Sequence, residues 1–291
     1  MTEMKKILLT GGKGFFCSRL ADYYKDTYEF IITDKDELDI TDEQAVYRFV
    51  EQTKPEIIVH AGAVAVTDFC NKHPEIAHKI NVDAAVTIGK AAKQNGAKMI
   101  FFSSEQVFNG NSNSGPFSEE DEAVPNTVYG ENKLEAENLL KTILDELWIV
   151  RFTWMFGLPE RGKNMSNGIL WETMDKLMHQ ETIVASKREF RGMTYVYEMI
   201  ENFPRLLQAP YGTYHLGSVN NESRYDIVKF ILEELGLSDS LSALLKEDTE
   251  KYLDSNRDVR LNTAKAEAAG MHWSETKEAL RKCIRDYRLG R

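Results

Sequence analysis

Cysteine is scarce in this chain of 291 residues: Cys17, Cys70 and Cys283 are the three present, widely spaced and in no metal-binding pattern. An odd, scattered set argues against a disulfide framework and suits a reducing compartment. Long apolar runs are missing as well. None approaches the roughly 20 residues needed to span a bilayer, so a transmembrane helix is excluded. Met1 to Lys6 leads straight into Ile7-Leu8-Leu9, with no long h-region and no small-residue cleavage site. A secretory signal is therefore not expected, and the expected location is the cytoplasm. Positive charge is in deficit too: 36 Lys and Arg stand against 46 Asp and Glu, a net charge of −10. Nucleic-acid binding generally needs a basic face, so no such partner is expected. The deficit does not exclude a dinucleotide, because one pyrophosphate can be held locally by backbone N–H groups at a helix start. The histidines (His60, His73, His78, His179, His215 and His272) show no ligand spacing, and no metal site is expected.

What is present is an ordinary globular composition, 42% hydrophobic and 28% charged. Strand-like runs at Lys6–Thr10, Phe30–Thr33, Ile57–His60, Lys98–Phe102 and Trp148–Phe152 alternate with helical patterns near Phe15–Lys25, Asp42–Gln52, Pro74–Asn95 and Thr127–Leu147. That alternation predicts βαβ units and an α/β fold, a Rossmann doubly wound parallel sheet. Thr41-Asp42-Glu43-Gln44 reads as a capping box with Thr41 as N-cap, and Gly96 as a C-cap glycine. Phe108–Pro125, rich in Asn, Ser, Gly and acids, reads as a solvated loop at the carboxyl edge of the sheet. Beyond Phe152 the pattern loosens, with helices near Ser166–His179, Tyr195–Leu207, Arg224–Leu235 and Ser274–Tyr287 and a late strand at Tyr214-His215-Leu216. The expected organisation is a Rossmann domain over 1–155 and a smaller C-terminal substrate-binding lobe over 156–291, part of which (about 194–235) returns to the core.

Thr10-Gly11-Gly12-Lys13-Gly14-Phe15-Phe16-Cys17 lies where the first strand turns into the first helix. The chemistry needs a tight turn followed by backbone free of Cβ, so that a pyrophosphate can reach the helix N-terminus. Gly11 and Gly14 supply two glycines of a G-x-x-G-x-x-G pattern, and Cys17 takes the third place. That last position chiefly permits close packing of helix on strand, so Cys17 reads as a small packing residue, with a reactive thiol at a helix start as the competing reading. Asp34 closes the next strand 20 residues after Gly14, the spacing of an acid that binds the adenosine ribose. Asp34 favours NADH by repelling a 2′-phosphate, whereas Lys13 and Lys35 could attract one and favour NADPH.

Tyr129-Gly130-Glu131-Asn132-Lys133 places Tyr and Lys one helical turn apart on one face. An unperturbed tyrosine has a pKa of about 10 and needs help to exchange a proton at neutral pH. A nearby ammonium favours the phenolate, and a hydroxyl from Ser103 or Ser104 at a neighbouring strand end can share a substrate carbonyl. A second Tyr-x-x-x-Lys, Tyr225–Lys229, lacks an upstream serine-bearing strand end and reads as an ordinary amphipathic helix.

The ordered set Thr10–Cys17, Asp39-Ile40, Ser103-Ser104, Tyr129–Lys133 and Arg151-Phe152-Thr153-Trp154 resembles an extended short-chain dehydrogenase/reductase. Within that group it is most similar to the dTDP-4-dehydrorhamnose reductase family, whose habits Val107-Phe108-Asn109-Gly110, Leu38-Asp39-Ile40-Thr41 and Arg257…Leu261-Asn262-Thr263-Ala264-Lys265 also match. The resemblance implies an NADH- or NADPH-dependent reductase that delivers hydride to C4 of a nucleotide-linked 4-keto sugar. It implies Tyr129 as proton donor, Lys133 as the group that lowers its pKa and holds the nicotinamide ribose, and Ser104 as hydrogen-bond donor to the carbonyl oxygen. Gly11, Gly14, Phe15, Phe16, Asp34, Asp39, Ile40, Ala61, Gly62 and Ala63 would contact the cofactor. Trp154, Glu105 and Gln106 would stand at the sugar. Where the family has Ser-Thr-Asp-Tyr-Val-Phe, this chain has Ser103-Ser104-Glu105-Gln106-Val107-Phe108. Two other readings compete: an epimerase or dehydratase of a nucleotide sugar, for which Glu105 supplies an acid beside Ser104, and a non-catalytic dinucleotide-binding regulatory subunit. A homodimer is the candidate assembly.

Overall fold

Apolar residues in the first half come in short, nearly continuous runs, as strands buried on both faces require. A computed structural model describes residues 4–289. In chain order it contains β1 (Lys5–Thr10), α1 (Phe15–Tyr23), β2 (Tyr28–Thr33), α2 (Glu43–Thr53), β3 (Ile57–His60), α3 (Thr67–Lys72), α4 (Pro74–His78), a π-helical turn (Lys79–Asp83), α5 (Ala84–Asn95), β4 (Lys98–Ser104), a 3-10 turn (Glu105–Phe108), α6 (Val128–Ile143) and β5 (Leu147–Phe152). Shorter elements follow: β6 (Trp154–Phe156), α7 (Ile169–Met178), β7 (Ile183–Ala185), β8 (Glu189–Phe190), β9 (Met193–Tyr195), α8 (Val196–Glu201), α9 (Phe203–Leu206), β10 (Gly212–Leu216) and α10 (Arg224–Glu234). The chain continues through α11 (Leu241–Leu244), β11 (Leu245–Glu247), β12 (Arg257–Asp258), α12 (Ala264–Ala268) and α13 (Thr276–Asp286).

Six strands form one sheet in the order β10-β5-β4-β3-β1-β2. β1 lies between β2 and β3, parallel to both, with Ile7 opposite Phe30 and Ile57. β3 pairs with β4, also in parallel. The chain moves outward from β1 to β2 and then returns to the other side of β1 as β3. That reversal leaves a crevice beyond the carboxyl ends of β1 and β3, where doubly wound sheets hold their ligands. One face of the sheet is closed by Leu8 and Ile58 against Val46 and Val50 of α2, Ala85 and Ile88 of α5 and Leu140 of α6, all buried. Gly89 lets α6 approach α5 closely: a Cβ there would stand 2.5 Å from the Leu140 side chain.

The chain divides into two compact units. The first comprises the chain up to Asn111 together with Glu122–Arg151 and Pro210–Tyr214; the second comprises Ser112–Asp121, Phe152–Ala209 and the chain from His215 onward. The second unit holds parallel strand pairs β6–β9, β7–β11 and β8–β12 of two or three residues each. Segments so short carry no period-2 signal, which is why the sequence shows only the helices there. Among the described residues, no helix is long and apolar enough to cross a membrane.

Two local expectations need correction. The N-cap of α2 is Asp42, whose Oδ1 accepts the Ala45 N–H at 2.9 Å, while Thr41 bonds back to Asp39 through both its N–H and hydroxyl. A carboxylate at the helix start gains from the helix dipole as well as from the hydrogen bond, so it displaces the hydroxyl one residue earlier. The single helix expected over Pro74–Asn95 is α4, the π turn and α5 in succession. Inside that turn Asn81 clamps Val64, accepting its N–H at 2.8 Å and donating to its carbonyl at 3.0 Å. Gly96 ends α5 in the left-handed region, φ 67°, as its C-cap position predicts.

Candidate functional site: a dinucleotide cleft and a Ser–Tyr–Lys corner

The glycine loop forms a tight turn after β1. Gly11 has φ +66°, and a Cβ there would lie 2.8 Å from the Gly62 nitrogen, so no other residue fits without displacement. The Gly12 N–H donates to the Thr33 carbonyl at 2.8 Å, which fixes the loop against the end of β2. Gly14 is the N-cap of α1 and offers no side chain to cap it. The first-turn N–H groups of a helix have no intrahelical acceptor, and Phe15 and Phe16 lie in that turn. A helix start of this kind, with no side chain over it, suits an anion. Phe16 meets Phe102 edge-on at 5.3 Å between ring centroids. Cys17 is 1% exposed, and burial pushes its thiol up to about 12. The lowered pKa that a reactive thiol at a helix start needs is not present; Cys17 is a packing residue.

Beyond β1 and β3 opens a cleft of about 320 Å³, walled on one side by Gly11, Gly62 and Ala63 and on the other by Asp34 and the Leu38-Asp39-Ile40-Thr41 segment. Ala61 stands behind this wall, its N–H bonded to the Thr10 carbonyl at 3.1 Å. Hydrogen bonds from the Thr41 hydroxyl and N–H hold the Asp39 carboxyl below its ordinary range. Gly62 lets the Ile40 side chain close over it, since a Cβ would be 3.0 Å from Ile40 Cδ1. The residues present fit a nicotinamide dinucleotide: a glycine cradle at a helix start, an apolar Leu38–Ile40 flank for adenine, and Asp34 for the ribose.

The second constellation stands at the end of β4. Successive residues of a strand point to opposite faces, and this separates the two serines. The Ser103 hydroxyl donates to Glu137 Oε1 at 2.5 Å, whereas the Ser104 hydroxyl accepts the Gln106 N–H at 3.2 Å and favours the ionised form of the Tyr129 phenol. Tyr129 sits in the first turn of α6, capped by Thr127, whose hydroxyl accepts the Gly130 N–H at 3.1 Å. Gly130 is required by close approach: a Cβ there would lie 2.6 Å from the Gln106 carbonyl in the 3-10 turn. One turn further along α6, Lys133 is 3% exposed, donates to the Phe102 carbonyl at 2.7 Å and lies 5.7 Å from the Tyr129 ring centre.

The electrostatics of this corner differ from the sequence expectation. Burial raises the Tyr129 hydroxyl well above its ordinary value, the Cys70 and Glu105 side chains add to that, and the hydrogen bond from Ser104 opposes it. Burial also brings Lys133 down to about 8, against the opposing influence of Glu137 and Cys70. Desolvation thus decides the direction, and the phenol is raised where a lowering by Lys133 was expected, so Tyr129 holds its proton at neutral pH. Beneath it, His60 bonds Thr10 Oγ1 at 2.7 Å and is pushed down to about 3 by burial, so it stays neutral. Glu105 is 1% exposed within the 3-10 turn, and Gln106 accepts from Asn109 Nδ2 at 2.5 Å.

Trp154 belongs to the second unit. Its indole N–H donates to the Asn167 carbonyl at 2.8 Å, and the guanidinium groups of Arg191 and Arg224 lie 4.6 and 5.4 Å from its ring centre. Arg224 in turn pairs with Glu172 at 2.7 Å and with the buried Glu189 at 3.4 Å. Tyr225–Lys229, the other Tyr-x-x-x-Lys, is on α10, where Lys229 pairs with Glu233.

Several supporting residues had no sequence signal of their own. Glu137, fully buried, receives a bidentate pair from Arg151 at 2.9 and 2.7 Å and the Ser103 hydroxyl. Asn132, 5% exposed between Tyr129 and Lys133, keeps a buried carbonyl oxygen with no hydrogen-bond partner. Cys70 packs against Tyr129. Glu137 could have been found as the next same-face position after Tyr129 and Lys133 along α6.

A parallel doubly wound sheet whose first turn is a glycine loop at an uncapped helix start and whose fourth strand ends beside a Tyr–Lys helix defines the extended short-chain dehydrogenase/reductase class of NAD(P)-dependent oxidoreductases. Within it, the chain belongs to the family described as RmlD substrate binding domain, whose model matches residues 4–289. It is similar to the spore coat polysaccharide biosynthesis protein SpsK of Bacillus subtilis, 30% identical over 97% of this chain and 98% of that one. It is similar also to the dTDP-4-dehydrorhamnose reductase of Escherichia coli, 30% identical over 78% of each. Among solved structures, the Bacillus anthracis dTDP-4-dehydrorhamnose reductase in complex with NADP shares the fold, with a TM-score of 0.84 and 21% identity over 98% of this chain and 100% of that one.

Proposed function

We propose that this chain is an NAD(P)H-dependent reductase of a nucleotide-linked 4-keto sugar, with Tyr129 as proton donor. The observation that carries the reading is the placement of Tyr129 and Lys133 one turn apart on α6, with Lys133 bonded to Phe102 at the end of β4 beside Ser104, in the same compact unit as the glycine cleft. The names of the Escherichia coli and Bacillus anthracis relatives support a reductase, and that of the Bacillus subtilis relative supports work on polysaccharide precursors.

In this reading Gly11, Gly14 and the α1 N-terminus, with Phe15 and Phe16, hold the pyrophosphate. Asp34 holds the adenosine ribose, Asp39 and Ile40 border the adenine, and Ala61, Gly62 and Ala63 back the cofactor. Bound there, NAD(P)H supplies the hydride that reduces the sugar ketone at C4. Ser104 donates a hydrogen bond to the ketone oxygen and orients it. Tyr129 gives that oxygen its proton as negative charge develops, and the buried hydroxyl, with its raised pKa, releases the proton only to a strong base such as an alkoxide. Lys133, anchored on the Phe102 carbonyl, supplies positive charge beside the phenolate that remains and donates to the nicotinamide ribose. Glu105, Gln106 and Trp154 are the proposed sugar contacts, and residues 156–291 the substrate lobe. A cytoplasmic homodimer completes the reading, checked by light scattering on the purified protein.

The test follows NADH and NADPH absorbance with purified protein and dTDP-4-dehydro-L-rhamnose, with Tyr129→Phe as control. Oxidation that is lost in the variant is the expected result. Cofactor binding without oxidation of any 4-keto nucleotide sugar would overturn the reductase reading in favour of a regulatory subunit. Exchange of the C4 or C5 hydrogen without net oxidation would favour an epimerase or dehydratase using Glu105.

A further inference from the structure

Lys13 of the glycine loop and Lys35 after β2 are cations near the adenosine end of the cleft, and the sequence leaves open whether they recruit a 2′-phosphate. The geometry bears on each. Because the Gly12 N–H is tied to the Thr33 carbonyl, the glycine loop carries Lys13 alongside the end of β2. There its ammonium donates to Glu37 Oε1 at 2.6 Å, with Asp36 at 4.0 Å. The other oxygen of Glu37 accepts the Asp34 N–H at 3.0 Å, and the Glu37 N–H donates to the Asp34 carbonyl at 3.0 Å. Glu37 is thus locked over the residue that faces the ribose and holds the loop lysine at the same time. Lys35 lines the cleft itself and acts on Asp39, while its backbone N–H donates to Asp34 Oδ1 at 2.9 Å, so the loop lysine that Glu37 engages is Lys13 alone.

We propose that Glu37 is a cofactor-specificity residue: by engaging Lys13 and bracing Asp34, it withholds the loop cation from the adenosine 2′ position and sets a preference for NADH over NADPH. This rests on the dinucleotide reading of the cleft. A ribose with a free 2′-hydroxyl donates to Asp34 and does not need Lys13. A 2′-phosphate brings nearly two negative charges beside Asp34, Asp36 and Glu37, and the glycine-loop cation that could answer it is committed to Glu37. The Lys13–Glu37 pair is half exposed, so the preference is graded and salt-sensitive rather than absolute.

The experiment is a fluorescence titration of the purified full chain with NADH and with NADPH, in low and high salt, for the wild type, Glu37→Gln, Glu37→Ala and the double variant Glu37→Gln/Lys13→Ala. The glutamine keeps an acceptor for the Asp34 N–H, so NADH binding serves as the folding control. The wild type is expected to bind NADH more tightly than NADPH. Both single variants should tighten NADPH relative to NADH about fivefold, the upper range for an exposed ion pair; NADH itself should change less than twofold in Glu37→Gln and weaken in Glu37→Ala, which also loses the brace on Asp34. Adding Lys13→Ala should cancel that gain, and high salt should shrink it. A wild type that binds NADPH as tightly as NADH, or variants in which the ratio of the two affinities does not move, would overturn the assignment to Glu37 while leaving the dinucleotide reading intact. Absence of binding by either nucleotide to the wild type would bring down the dinucleotide reading itself.

Discussion

Lys13 and Lys133 belong to the same compact unit, and each lies in a region where carboxylates are close, yet their surroundings move them in opposite directions. Lys13 stands in the glycine loop with nearly half of its side chain in water, and Glu37 raises its pKa. Lys133, on α6, is almost wholly buried, and loss of hydration brings it down to about 8 although Glu137 opposes the change. The contrast extends to their neighbours. Around Lys13 the acids are exposed and adjustable; around Lys133 the one acid, Glu137, is sealed in by Arg151 and Ser103. Near the surface, charges tune which ligand is preferred; in the interior, desolvation decides protonation and therefore chemistry.

The largest expected effect separates the two kinds of ion pair. Arg151→Ala leaves the Glu137 carboxylate buried without its bidentate partner, and breaking such a pair typically costs about 3–5 kcal/mol. Urea denaturation of that variant should show the loss, while Lys13→Ala gives no measurable shift of the midpoint. Replacing both partners, as Glu137→Gln with Arg151→Met, should recover part of the stability. If Arg151→Ala unfolds at the wild-type urea concentration, the buried pair is not what holds the end of β5 against α6.

Next in size is Tyr129→Phe, which removes the proposed donor while keeping the ring against Cys70. Turnover should fall by about 10²-fold or more with the Kd for cofactor nearly unchanged. Full activity in that variant would remove Tyr129 from the chemistry.

The pH dependence sharpens the comparison further. In the free enzyme Lys133 loses its proton near pH 8, so kcat/KM should decline above about pH 8, and Lys133→Arg should move that decline to higher pH. Stability should run the other way. The folded state binds fewer protons than the unfolded chain between about pH 8 and the ordinary lysine value of 10.5, so the Lys133 contribution to stability rises with pH across that window and is lost as pH falls through 8. Lys13→Ala should leave both profiles in place. A kcat/KM flat to pH 10 would mean that Lys133 is not depressed, or not needed.

How legible these regions were follows from what each depends on. The central strands of the sheet announced themselves because burial on both faces demands unbroken apolar runs; Ile57–His60, buried throughout, falls where the sequence placed it, whereas the edge strand β2 is only partly buried. Gly11 and Gly96 were legible because a left-handed backbone leaves few residue choices. Tyr129 and Lys133 were found through helical spacing, which also assigns them one face of α6. The protonation of that face was not legible, because desolvation depends on Cys70, His60 and Phe101 arriving from distant segments. Nor was the engagement of Lys13 by Glu37, since residues 24 apart become neighbours only when β1 and β2 pair. The short strands of the second unit were missed for a simpler reason: two or three residues do not make a period.

The smallest effect concerns Cys17, the residue in place of the third glycine. It lies in the first turn of α1 with its side chain fully buried, so that side chain influences the cofactor through how closely α1 lies on β1. Cys17→Gly removes a packed side chain and adds backbone freedom to a helix, for a loss of stability of about 1 kcal/mol. The dinucleotide Kd should move by less than about threefold, in the tightening direction if closer approach is gained. The native thiol, held at about 12, should also resist iodoacetamide at pH 8 and react only after unfolding. Rapid alkylation of the native protein at Cys17 with loss of cofactor binding would show instead that the loop opens, and that the seat of α1, rather than the charges around Lys13, governs affinity at the adenosine end.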